Sequence, residues 1–86
     1  MKIIKRNGSE AAFDISKIIV AITKANNADE SSRELAKEQI LAIADSVEKQ
    51  CQQMNRAPSV EEIQDLVENQ IMAQGAFEVA KRYIKY

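Results

Sequence analysis

Apolar residues open the chain in a short extended pattern and then fall into four stretches with the period of a helix. Met1 to Asp14 reads as a β-hairpin: Ile3-Ile4-Lys5-Arg6 precedes Asn7-Gly8, and Ser9 to Phe13 follows. Asn-Gly between two extended segments is the strongest local hairpin signal, because both residues accept the positive φ of a type I′ turn. A two-residue loop sets Arg6 opposite Ser9, Lys5 opposite Glu10 and Ile4 opposite Ala11. That register predicts a cross-strand Lys5–Glu10 charge pair. It also puts Ile4, Ala11 and Phe13 on one buried face, with Arg6 and Ser9 toward the turn on the same side.

Ile15, Ile18, Ile19 and Ile22 share one helical face, which predicts a first helix from about Ser16 to Asn26. Asn26-Asn27-Ala28-Asp29 is loop chemistry. Ser31-x-x-Glu34 has the form of a capping box and predicts the start of a longer second helix. Its stripe is Ile40, Ile43, Ala44, Val47, Cys51 and Met54, and Asn55 to Pro58 breaks it. Ser59-x-x-Glu62 is a second capping box, opening a third helix with Ile63, Leu66, Val67 and Ile71 on one face. Gly75 is placed to close that helix in the left-handed conformation. A fourth helix runs from Ala76 to the end on Phe77, Ala80, Tyr83 and Ile84. Four amphipathic segments with short connections should bundle, with the hairpin capping one end. The predicted class is α+β, mostly α, as a single domain over residues 1–86.

Composition narrows the function. The chain has no histidine, so it holds no Ser-His or Cys-His nucleophile pair and no histidine metal site. Cys51 is the single cysteine, which rules out an internal disulfide or a Cys-x-x-Cys zinc site; on its apolar stripe it reads as a packing residue. Glu61, Glu62, Asp65 and Glu68 read as a solvated helix face, and no carboxylate pair is singled out for catalysis. No Walker-type or dinucleotide glycine motif is present. The chain reads as a non-catalytic unit. With no apolar run near the ~20 residues a membrane span needs and no signal-peptide pattern, the expected setting is the cytoplasm.

Charge is unevenly placed. Within residues 1–24, Lys2, Lys5, Arg6, Lys17 and Lys24 meet only Glu10 and Asp14, whereas the remainder is net acidic. An anionic partner for the N-terminal part follows. Three features bear on it. Lys5-Arg6-Asn7-Gly8 sets two cations beside a glycine turn, where backbone and phosphate can approach closely. Taken alone, such a sequence is more often a solvated hairpin tip. Lys17 stands early in the first helix, where free N–H groups and the helix dipole already favour an anion. Lys81, Arg82 and Lys85 near the C-terminus read individually as ordinary last-turn cations.

Together these parts resemble the ATP-cone family. The likeness rests on Ile3-Ile4-Lys5-Arg6-Asn7-Gly8-Ser9 with Phe13-Asp14 and Lys17-Ile18-x-x-Ala21-Ile22, on Val60 to Glu68, and on Val79-Ala80-Lys81-x-Tyr83-Ile84. The three blocks in order span essentially the whole chain. The resemblance implies a four-helix bundle capped by a small β-sheet that binds ATP or dATP, with Mg²⁺, as an effector. In that family the module switches ribonucleotide reductases on and off, usually from their N-terminus. It also occurs behind a zinc ribbon in a repressor of reductase genes, a setting the missing Cys-x-x-Cys speaks against. The wording of the blocks looks most like the anaerobic, glycyl-radical class.

Carried over by position, the resemblance implies that Lys5 and Arg6 stand at the phosphates, with Gly8 turning the chain. Ala11 to Lys17, including Asp14, wraps the nucleotide, and Lys17 is a second phosphate ligand. Phe13 and Ile18 wall the adenine, Ser59 and Val60 meet the base edge, and Lys81 fills a basic position near the end. The implied partners are an adenine nucleotide, the catalytic part of a parent reductase and further copies met through the helices, with neither membrane nor nucleic acid. Three departures stand out. Asn7 replaces an aspartate, keeping the turn and removing a charge; Ala11 stands where some members carry an acid, with Glu10 one place earlier; and the chain stops at Tyr86, where members continue with further basic residues. Two other readings remain on the residues alone: a ligand-free helical interaction module, and a nucleic-acid partner for the basic N-terminal part. The acidic remainder and the few aromatic residues weigh against the latter.

Overall fold

The computed structural model describes residues 1–85, apart from the side chain of Ser32. Two short strands, β1 (Lys2–Ile4) and β2 (Glu10–Ala12), precede α1 (Ile15–Asn27), a 3₁₀ turn (Glu30–Ser32), α2 (Lys37–Gln52), α3 (Val60–Ala73) and α4 (Phe77–Ile84). This is the mostly α, α+β arrangement that the hydrophobic pattern predicts. The helices pack in a closed ring, α1 on α2, α2 on α3, α3 on α4 and α4 back on α1. Ile22, Ile43, Val47, Val67, Ile71 and Val79 fill the middle and are fully buried. Cys51 lies among them, and burial pushes its thiol pKa up, which keeps it a packing residue. Among the described residues no helix is long and apolar enough to cross a membrane.

Local capping chemistry sets three of the helix ends. Asp14 accepts from the Ser16 N–H at 3.0 Å and starts α1. Ser59 and Glu62 form the reciprocal box that starts α3, at 3.1 and 2.9 Å. Gly75, at φ +79°, ends α3; its N–H donates to the Met72 carbonyl and the Ala76 N–H to the Ile71 carbonyl, satisfying two of the helix's last carbonyls.

The hairpin departs from its predicted register. Lys2 faces Ala12, Ile3 faces Ala11 and Ile4 faces Glu10. The Lys5 N–H donates to the Ser9 carbonyl at 2.8 Å, and the Gly8 N–H to the Lys5 carbonyl at 2.9 Å. Only Gly8 has positive φ in this turn (+84°), so the loop has three residues, a type I turn closed by a glycine bulge, and not the type I′ turn. Asn7 stays out of the left-handed region because its Oδ1 accepts from the Ser9 N–H and hydroxyl, at 3.0 and 2.6 Å. One residue of slip exchanges the faces of a strand. Ile3 therefore replaces Ile4 beside Ala11 and Phe13, and the Lys5–Glu10 pair gives way to Ile4 opposite Glu10. The Ile4 N–H donates to the Pro58 carbonyl at 2.9 Å, which fastens the hairpin to the chain entering α3.

Two other expectations change. Ser31 does not open α2; it sits in the 3₁₀ turn, capped by Asp29 at 3.0 Å. Glu34 is drawn instead to α4, where Oε1 accepts from the Glu78 and Val79 N–H groups at 2.9 and 3.1 Å. On α4, Ala76, Val79 and Ala80 are buried and Tyr83 half-buried, while Phe77 and Ile84 remain 57% and 58% exposed. Of the four positions expected to face inward, Ala80 and Tyr83 do so, while Phe77 and Ile84 do not and Val79 is buried in their place.

Arg56 grips Glu62 through both guanidinium nitrogens, one at 2.7 Å. That pair, with the Ser59 N–H, holds the Glu62 carboxyl at about 2 against its ordinary 4.5. A depressed carboxylate contributes stability above its ordinary pKa and loses it as pH falls toward the folded value. We expect acid unfolding between about pH 4.5 and 2 to be less steep in Glu62→Gln, which keeps the amide oxygen for the cap. Equal slopes in thermal melts across that range would refute a role for the pair.

Candidate functional site

The corrected hairpin register decides what faces the first helix. Ile3, Ala11 and Phe13, the first turns of α1 and α3, and the end of α4 enclose a cleft of about 290 Å³. Ile18 and Ala21 come from α1, and Val60 and Ile63 from α3, so the walls are mainly apolar. Polar groups are few: Lys5, Asp14, Lys17, Gln64 and the Tyr83 hydroxyl. An apolar hollow with a few convergent polar groups is the usual form of a small-molecule site.

Of the residues singled out from the sequence, Lys5, Ala11, Phe13 and Asp14 line the cleft from the hairpin side, and Lys17, Ile18 and Val60 from the helices. Arg6, Gly8 and Lys81 do not line it. The Arg6 guanidinium turns to α3, with Nε 3.1 Å from Glu61 Oε1 and Nη2 donating to Gln64 Oε1 at 3.4 Å. Gly8 shapes the turn. Lys81 lies on the exposed side of α4, 3.7 Å from Glu78.

The two cleft lysines differ from five other cations of the chain. Arg6, Arg33, Lys49, Arg56 and Lys81 are each paired with a carboxylate. Lys5 and Lys17 have no such partner within 4 Å among the described residues. Asp14 makes no ion pair with either lysine within 4 Å; its Oδ1 accepts from the Ser16 hydroxyl at 2.6 Å and the Ser16 N–H at 3.0 Å. Those two bonds hold its carboxyl below the usual carboxylate range, with Lys17 adding to the effect. The result is a cleft with an ionised capping aspartate and two ammonium groups that no described carboxylate pairs, able to take a polyanion at its rim.

Ile3, Ala21, Ile63, Gln64 and Tyr83 were missed as cleft residues by sequence reasoning. Ile3 follows from the register. Gln64 stands one turn after Val60 on α3, so the i, i+4 spacing alone places it on Val60's side of the helix. Burial pushes the Tyr83 hydroxyl pKa up, so it remains protonated and able to donate at neutral pH.

Comparison with known proteins bears on the family. The sequence matches the ATP cone domain family across residues 1–86. It is similar to the alpha subunit of ribonucleoside-diphosphate reductase of Chlamydia trachomatis serovar D, at 33% identity over 94 aligned residues covering 100% of this chain and 9% of that protein. The corresponding subunit of Chlamydia muridarum is 31% identical over the same length and with the same coverage. The chain therefore spans about a tenth of the length of these curated relatives. A match running from end to end, on a bundle whose hairpin and first helix bring the motif lysines to one cleft, establishes that this chain belongs to the ATP-cone family.

Proposed function

We propose that the chain is a nucleotide-sensing regulatory domain that binds ATP or dATP in the cleft between hairpin, α1, α3 and α4. The observation that carries this reading is the placement of Lys5 and Lys17, without a carboxylate partner within 4 Å among the described residues, on one apolar cleft. The lysines hold the phosphates. Phe13, Ile18 and Ile63 bury the base, and Val60 and Gln64 stand at its edge. About 290 Å³ is at the low end for small-ligand sites, roughly 300–1,000 Å³; it suits a ligand whose base is buried while its phosphates stay at the rim. Mg²⁺ would arrive with the phosphates. No cluster of three or more metal-binding carboxylates, cysteines or histidines lies among the described residues, and a phosphate-borne Mg²⁺ needs one or two carboxylates at most. Asp14 is the carboxylate nearest to hand.

The parent protein on this reading is a cytoplasmic ribonucleotide reductase, active with ATP and inhibited with dATP. The two effectors differ by one hydroxyl, so discrimination comes from their different affinities for two states of an assembly. Both relatives are diphosphate reductase subunits by name, which weighs toward that class over the anaerobic one that the motif wording resembles. Titration calorimetry with ATP, dATP and GTP, each with Mg²⁺, tests the reading. Micromolar binding of the adenine nucleotides with weaker GTP binding is the expected result. No heat with any nucleotide would point to a ligand-free interaction module, and salt-steep binding of duplex DNA to a nucleic-acid partner.

A further inference from the structure

Building on the nucleotide reading, the geometry points to Glu34 as a positioning residue for the cleft: by capping α4 from outside, it holds Tyr83 in the cleft wall and makes the docking of α4 responsive to nucleotide. Helix α4 has eight residues, too few to persist alone. Its N-cap, Ala76, offers no side-chain acceptor. The donors that would otherwise be unsatisfied are those of Glu78 and Val79, and Glu34 Oε1 takes both. A carboxylate is also the favoured charge at that end of a helix.

The apolar hold on α4 is modest. Val79 and Ala80 are its buried side chains, and Phe77 and Ile84 point outward. Polar ties supply the rest. Arg82 Nε donates to the Ala25 carbonyl at 2.6 Å, joining α4 to the end of α1. Glu34 is itself anchored, because the next residue, Leu35, is gripped through both its N–H and its carbonyl by the buried Asn26 side chain. The segment 33–35 thus connects α1 to the start of α4, and α4 ends at the cleft with Tyr83. A nucleotide touching Tyr83 gains that contact only when α4 is docked, so binding and docking favour each other.

Hydrogen exchange of the chain with and without ATP–Mg²⁺ tests this. In the wild type, ATP should slow the amides of Ala80 to Tyr83 more than those in the middle of α2. In Glu34→Ala those α4 amides should exchange about fivefold faster without ligand, and ATP should bind about two- to threefold more weakly. Glu34→Gln, which keeps an acceptor oxygen, should fall between the two and stands in if the alanine variant does not fold. Wild-type ATP binding that leaves α4 exchange unchanged overturns the inference. So does an affinity equal in all three proteins, which would make Glu34 a cap and nothing more. A wild-type chain that binds no nucleotide fails at the earlier step and overturns both readings.

Discussion

Lys17→Ala is expected to weaken ATP binding about 10- to 100-fold, the loss that corresponds to one hydrogen bond to a charged group, ~1.5–3 kcal/mol. Lys17 stands in the first turn of α1 on the wall of the cleft, with no carboxylate partner within 4 Å among the described residues. Its ammonium group is therefore available to phosphate without first breaking a bond. Lys5→Ala should cost a similar factor, since Lys5 continues the inner face of the hairpin onto the same cleft. Arg6→Ala should cost less, because the guanidinium is engaged with Glu61 and Gln64. Lys81→Ala should leave affinity within about twofold, as its side chain lies away from the cleft beside Glu78.

The order of these four variants, measured by calorimetry at one ionic strength, is the test. General electrostatic attraction predicts nearly equal losses from any lysine, whereas a built phosphate site predicts the ranking. Unfolding does not confuse the result for Lys17. A cation in the first turn opposes the helix dipole, so its removal should leave α1 no less stable. Equal losses at Lys17 and Lys81 would sink the assignment.

Asn26→Leu is expected to lower stability by about 3 kcal/mol, a large share of the ~5–10 kcal/mol typical of a domain this size. Asn26 is 5% exposed, and its amide closes a ring with the backbone of Leu35: Nδ2 donates to the carbonyl at 2.8 Å and Oδ1 accepts from the N–H at 3.0 Å. Leucine has the same number of side-chain heavy atoms, but its methyl groups satisfy neither backbone group. Two buried backbone atoms then lose their partners, each costing about 1–3 kcal/mol less whatever water can reach them. Asn26→Asp should also destabilise, since it keeps the acceptor, loses the donor and places a charge in the interior. Urea unfolding should show a lower midpoint at unchanged slope. A shift below about 0.5 kcal/mol for Asn26→Leu would mean that the loop holds itself closed without the side chain.

Asn26 also marks a limit of one-dimensional reading. The sequence reads it as loop chemistry with Asn27 and Asp29, whereas the structure carries α1 through Asn27 and buries Asn26 in its last turn. Its partner, nine residues away across a loop, was not legible. Glu34 shows the same division. Three residues after Ser31 it has the local form of a capping-box acid, yet the exposed N–H groups of α4 compete for it and win. The apolar stripes of α1, α2 and α3 face the core, apart from Met54, which lies past the end of α2, because a helix must turn its oily face inward whatever it packs against.

The chain by itself determined the four helices, the Ser59–Glu62 box, the glycine that closes α3 and the basic character of the hairpin, all from residues within a few positions of one another. The tertiary structure decided the hairpin register, the phase of α4, the engagement of Arg6 by α3 and the meeting of Lys5 with Lys17, Gln64 and Tyr83. The reason is separation along the chain. A cap or a stripe is resolved inside one turn of helix, whereas Arg6 and Gln64 lie 58 positions apart and Glu34 and Glu78 lie 44 apart. At the hairpin even a local signal was ambiguous. Asn-Gly serves both two- and three-residue loops, and the bond from Ile4 to Pro58, on the edge of β1, is part of what holds the register that turns Ile3, Ala11 and Phe13 to the cleft.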